Sequence, residues 1–337
     1  GSILDADALV SSDNDGDLDV TAANVRLLAA TAIGDATNHL ETSAGTLSAR
    51  TGAGAIFLLE ADALTVGSVA VTVRRVASDG SSASGNTVSD AAQDGVVTAG
   101  GNGAIVLRTS GGAMTLSNDV SANGSGNVLL QTQGTSMGLT ANADILSGSG
   151  HVSVLATGAV SFGAGADIRT AGASIDVQAG GAMTMSSTSV MQSTGATAVA
   201  QLVAAGDLTV GEIQLSAGAV SVSSTGGSIL DADVVGNASN DSAVDVVAAS
   251  LMLSANGTVG QTVNQLETTA GTLSAQAAGS GVYLLETDAV TVGSVTLTAQ
   301  RVASTGVAAA QTALSQSGLS TTGSGNGAIV LRTSGGA

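Results

Sequence analysis

Cysteine, proline, tryptophan and lysine are all absent from this 337-residue sequence, and Phe57, Phe162 and Tyr283 are its only aromatic residues. Without cysteine there is no disulfide framework and no thiolate site. Without lysine, Schiff-base catalysis is excluded as well. Eight arginines face 26 acidic residues, for a formal charge of −18, and a surface of that sign repels phosphate backbones and anionic bilayers. No run approaches the roughly 18 uncharged apolar residues of a membrane span, and no charged-then-apolar leader opens the chain. Neither nucleic acid nor direct membrane insertion is therefore expected, which leaves cations and neutral glycans as candidate partners. With 44% hydrophobic residues, the chain has the apolar content to fold.

What is abundant is glycine, 47 residues of it, and repetition. Leu40-Glu41-Thr42 through Gly45-Thr46-Leu47-Ser48-Ala49 returns as Leu266-Glu267-Thr268 through Gly271-Thr272-Leu273-Ser274-Ala275, an offset of 226. Leu58-Leu59-Glu60 returns as Leu284-Leu285-Glu286, and Gly1 to Asp7 returns as Gly227 to Asp233. Gly101 to Ala113 then reappears as Gly325 to Ala337 at an offset of 224. The chain reads as about one and a half copies of a long unit, residues 1–226 and a partial copy 227–337, and both ends are expected to fall inside a longer array.

Within the unit runs a shorter beat, glycine followed by alternating apolar residues, as in Gly112-Ala113-Met114-Thr115-Leu116 and Gly181-Ala182-Met183-Thr184-Met185. Alternation of period two marks half-buried strands. A second strand series includes Ile105-Val106-Leu107 and Val128-Leu129-Leu130, and a third is centred on Val120, Ile145, Ile168, Val190, Ile213, Val234 and Val259. The third series recurs every 21 to 25 residues. Three short strands per turn of about 23 residues predict an all-β fold, a parallel β-helix (β-solenoid) in which no turn buries its own apolar face and turns must stack. About 15 turns at roughly 4.8 Å would make a rod of roughly 70 Å. Proline has no place in such a coil because nearly every strand is internal to a ladder. A short helix over Val25 to Ile33 and a β-sandwich array are the competing readings. Residues 79–101 and 306–325 interrupt the beat and are the candidate projecting loops.

Catalytic constellations are thin, and no catalytic residue is expected. His39 is replaced by Gln265 in the second copy, and it and His151 read as surface histidines near turns. Asp13-Asn14-Asp15-Gly16-Asp17-Leu18-Asp19 resembles a calcium loop, but glycine stands fourth rather than sixth. Asp13, Asp15, Asp17 and Asp19 are candidate ligands for calcium; no other cofactor is called for. Aligning the third series places Asp119, Asp144, Asp167, Ser189, Glu212 and Asp233, with Asp7 as the copy of Asp233, just before the apolar anchor of each turn. Such a column either caps each residue's own turn through Asx-type hydrogen bonds or gathers cations.

The glycine-led repeat of Gly181 to Met185 and Gly206-Asp207-Leu208-Thr209-Val210 resembles the β-helical repeats of very large bacterial surface proteins, the filamentous-haemagglutinin-like exoproteins and autotransporter-type adhesins. The resemblance implies a right-handed β-helix, secretion to the bacterial cell surface or beyond it, and a role in adhesion, cell–cell contact or biofilm. It also implies surface glycans or neighbouring cells as partners and end-to-end continuation or self-association. The competing functional reading is a glycan-binding or polysaccharide-degrading β-helix whose loop at residues 79–101 walls a groove.

Overall fold

A computed structural model describes residues 1–7, 17–82, 84–233, 243–323 and 327–335. Twenty-eight of its strands join into one sheet in which every pairing is parallel, and that sheet coils into a parallel β-helix. Register shows the coiling directly. Leu107, Leu130, Val154, Val177, Leu202 and Val222 stand one above another along one ladder, all fully buried. Met114, Leu139, Val160, Met183, Leu208 and Ile229 form a second stack. Small and branched side chains fill a narrow coil in which each inward position meets its counterpart above and below. The segment Val20–Ala29 is a strand paired with Leu40–Thr51, so no helix forms there. Among the described residues the only helix is the 3-10 turn Ser84–Asn86, and none is long and apolar enough to cross a membrane.

The regular beat fails at particular places. Ile168 pairs with Met191, not Val190, which moves the apolar anchor of that turn by one residue. Glu212–Ser224 is a single strand that pairs with both Val190–Thr194 and Val199–Ala204, and it hands Ile213 on to Val246. Val234 lies outside the described residues. Val259 belongs to the ladder of Ile229. Where the chain runs straight through a corner, counting residues from turn glycines loses the register.

Two antiparallel hairpins leave the coil, one from each copy of the unit. Residues 294–317 form an arm from Ser294–Leu297 paired with Leu314–Ser317 and from Gln300–Val302 paired with Ala308–Ala310. This arm does not project; it runs back along the rod. Val295 and Leu297 pack with Met252, and Val302 packs with Phe57, Val106 and Leu129. Val302 N–H donates to Ser153 Oγ at 2.9 Å, Gln300 N–H to Ser174 Oγ at 3.1 Å, and Asn127 Nδ2 to the Gly306 carbonyl at 2.9 Å. His39 is fully buried, its Nε2 3.1 Å from the Ser304 carbonyl and its ring 5.5 Å from that of Phe57. The sequence expected a surface histidine; the arm covers it.

The distances close. From Leu266–Ala277 the arm crosses Val246–Ala255, Glu212–Ser224, Val199–Ala204, Ser174–Ala179, Val152–Ala156, Val128–Thr132 and Ile105–Thr109 to reach Ile56–Glu60. Those eight ladder steps span about 38 Å at roughly 4.8 Å each, and the twelve residue-to-residue rises from Ser294 to Gly306 span about 40 Å when extended. The corresponding arm of the first copy spans residues 68–94, with Ser68–Val69 paired to Gln93–Asp94 and Thr72–Arg74 to Thr87–Ser89.

Candidate functional site: an acidic column and two carboxylate clusters

The third strand series starts, in each regular turn, at a corner where the backbone N–H of the incoming residue faces the turn below. Asp119, Asp144 and Asp167 fill that corner. Asp119 Oδ1 accepts the N–H of Asp144 at 3.0 Å, Asp144 Oδ1 accepts that of Asp167 at 3.0 Å, and Asp167 Oδ1 accepts that of Val190 at 2.7 Å. Each carboxylate thus caps the next turn rather than its own. Asp167 is also paired with the Arg169 guanidinium. A column of like charges about 5 Å apart is tolerated because each member holds a backbone donor.

Beyond Asp167 the column differs from the sequence alignment. Val190 occupies the next position, while Ser189 hydrogen-bonds the Ser186 carbonyl within its own turn at 2.9 Å. Glu212 follows and accepts Gln214 Nε2 at 2.6 Å. The register then carries the column to Asp245 and Glu267, since Ile213 pairs with Val246 and Val246 with Thr268. Asp233 is not a member; it approaches the column from the side.

That approach builds a cluster. Asp231, Asp233 and Asp245 each place a carboxylate oxygen within 4.8 Å of the others. Asp231 Oδ1 accepts the N–H of Asp233 at 2.7 Å, Asp245 Oδ2 accepts the N–H of Glu267 at 2.7 Å, and Asn264 Nδ2 donates to the Asp233 carbonyl at 3.1 Å. The first copy repeats the arrangement with Asp5, Asp7 and Asp19. There Asp5 Oδ1 accepts the N–H of Asp7 at 2.8 Å, Asp19 Oδ2 that of Glu41 at 2.9 Å, and Asn38 Nδ2 donates to the Asp7 carbonyl at 3.3 Å.

Of the suspected calcium run, Asp19 therefore belongs to a cluster, but with Asp5 and Asp7 rather than with its sequence neighbours. Asp17 is exposed and stands outside it, and Asp13 and Asp15 lie outside the described residues. Sequence reasoning missed Asp5, Asp231 and Asp245. The signal was available in the 226-residue offset, because Asp5, Asp7 and Asp19 all recur as Asp whereas Asp13 and Asp17 recur as Ser239 and Ala243.

Burial sets the charge state of these groups. Asp245 is 2% exposed, and desolvation, reinforced by the charge of Asp231, pushes its pKa up to about 10. The pKa of Asp19, more exposed than its copy Asp245, is also raised, again chiefly by desolvation. Three carboxylates at this separation share protons, or they offer the hard oxygen donors that calcium takes. Two further buried acids are structural. Glu60 accepts Thr42 Oγ1 at 2.7 Å and the Ala44 N–H at 3.0 Å, and Glu286 accepts Thr268 Oγ1 and the Ala270 N–H, both at 2.8 Å.

A cleft of about 340 Å³ separates the second arm from the rod, with Arg108, Gln131, Gln133, Arg301 and Gln311 among its walls. The guanidinium and amide groups of that lining offer hydrogen-bond donors and acceptors. Comparison with protein-family models, with curated proteins and with solved structures finds no match to this chain.

Proposed function

We propose that this chain is a shaft segment of a large bacterial surface adhesin or extracellular filament, serving reach and repetition in adhesion, cell–cell contact or biofilm. The observation that supports the reading most directly is the single apolar core that runs from Val25 to Leu284 through one uninterrupted parallel sheet. Such an architecture sets length and presents the same corner chemistry at successive turns, which suits a spacer between a cell and whatever it touches. The resemblance of the glycine-led repeats to filamentous-haemagglutinin-like exoproteins points the same way.

Display of the chain on a non-adherent bacterium tests the proposal. Increased cell–cell aggregation or surface retention, with rods in electron micrographs whose length scales with the number of units displayed, is the expected result. Turnover in a polysaccharide cleavage screen, or one specific glycan on an array with binding lost on substitution of Arg108 or Gln131 in the cleft, would replace it with the glycan-active reading.

A further inference from the structure

The two arms are copies of one another, and among the described residues only one of them is supported along its length. At their roots they are held alike. Gln93 Nε2 donates to the Leu27 carbonyl at 2.9 Å, and Gln316 Nε2 donates to the Leu253 carbonyl, the equivalent atom one unit later, also at 2.9 Å. Val69 and Val295 are 3% and 1% exposed. Beyond the root they diverge. Ala299 and Val302 are each 1% exposed, whereas their counterparts Val73 and Val76 are 50% and 70% exposed. Arg301 is ion-paired with the fully buried Asp176, and its counterpart Arg75 is exposed.

The cause is geometric. The second arm rests on eight ladder steps, while among the described residues a single step, from Leu40–Thr51 to Val20–Ala29, lies beneath the first. One step supports roughly 5 Å, so from Thr72 to Gly80 about 26 Å of extended hairpin overhangs the N-terminal edge of the rod. The overhang keeps the residues that dock its copy: an arginine at the ion-pair position, a valine at the position of Val302, and glycine at the tip, Gly80 for Gly306. At the other end the relation is reversed. Phe57 and Val106, which the second arm covers, have as copies Tyr283 and Val330, and these are only half-buried. An arm without a face at one end and a face without an arm at the other form a heterologous, head-to-tail surface.

We propose that the arm of residues 68–94 docks on the outer face of a second copy of the 226-residue unit stacked on the N-terminal edge of the rod, with Arg75 pairing to that copy's Asp176 and Val76 entering its Phe57, Val106 and Leu129 cluster. The occupant follows from the one docked arm among the described residues, whose contacts beyond its root are to the unit before it. The inference stands independently of the adhesin reading, which concerns what the rod does and not how its units lock.

An extended chain tests it, with residues 1–226 placed before the full 337. Gly226 then meets Gly1-Ser2-Ile3-Leu4 as it meets Gly227-Ser228-Ile229-Leu230 in the chain itself. Hydrogen exchange is read at Thr72–Arg74 and Thr87–Ser89. Because the arm sequence now occurs twice, its peptides are expected to split into two equal isotopic envelopes, one slowed about tenfold or more. Arg75→Glu in the second copy should return them to a single fast envelope. In the same molecule Val76→Cys of the second copy should be bridged by a short bis-maleimide to Ser153→Cys of the first, with Val302→Cys and Ser153→Cys of the 337-residue chain as the positive control. A single fast envelope, or a linked control beside an unlinked test pair, overturns the proposal.

Discussion

Arg301 reaches back 125 residues to hold both carboxylate oxygens of Asp176, with Nε 2.6 Å from Oδ2 and Nη2 3.3 Å from Oδ1. Asp176 is fully buried by this contact, and its pKa is raised by desolvation even though the guanidinium pulls the other way. The pair adds an ionic contact to the hydrogen bonds that Gln300 and Val302 make between the hairpin and the ladder it crosses.

Arg301→Ala should therefore release the tip of the arm. Exchange at Gln300–Val302 and Ala308–Ala310 is expected to quicken, while exchange in the Ser174–Ala179 strand, held by the ladder, stays slow. A double change with Asp176→Asn should cost less than Arg301→Ala alone, because an unpaired buried charge is the larger penalty. Thermal unfolding of the three variants gives the coupling.

The acidic column separates capping from cation gathering by a conservative pair of changes. Asp144→Asn keeps the side-chain oxygen that accepts the Asp167 N–H and should alter stability by a few tenths of a kcal/mol, whereas Asp144→Ala should cost about 1 kcal/mol. If the column instead acted by holding calcium, the two variants would be equally affected, and only in the presence of the ion.

Stability should fall as pH rises. Asp245, with its folded pKa of about 10 against an ordinary 3.8, keeps a proton that the unfolded chain releases above about pH 4. Its contribution is fully present below the unfolded value and is lost on the way up to the folded one. Burial raises Glu60, Glu286 and Asp19 in the same direction. The melting temperature is expected to be higher at pH 5 than at pH 8, and Asp245→Asn should raise it at pH 8 and flatten the slope.

Gly34 and Gly260 occupy the same corner in the two copies, at φ of 65° and 64°. A Cβ at Gly34 would stand 2.1 Å from the Phe57 carbonyl oxygen, and one at Gly260 2.2 Å from that of Tyr283. Either change to alanine should cost more than about 2 kcal/mol, the left-handed conformation and the backbone clash adding together. Equilibrium urea unfolding measures it.

The coil was legible because its determinants are local: alternation, corner glycines and a recurring length all act within one turn. Its register past Met191 was not, since a strand that skips a corner leaves no mark in composition. The clusters were half legible. Asp19 drew attention through its neighbours, but the residues it meets, Asp5 and Asp7, come from the N-terminal segment that bridges through Ile3 to Ile33. The arm was missed for a different reason, although it left a trace. Strands whose outer face stays in water alternate, as Met114-Thr115-Leu116 does, while Ile105-Val106-Leu107 and Val128-Leu129-Leu130 are apolar throughout, the pattern of strands covered on both faces. Those outward residues, Val106 and Leu129, are the ones the arm covers.

The arm also changes how the rod would answer a pull on its ends. Every ladder hydrogen bond points along the rod axis, so tension alone would open one rung at a time, like a zipper. The hairpin of residues 294–317 lies along the axis, anchored by its own chain at one end and by Asp176, Ser153 and Asn127 toward the other. Separating any two of the turns it crosses drags those contacts sideways together, in shear. A fibre whose units each carry such an arm would fail by sliding over many turns at once, at a load set by the arm rather than by the weakest rung.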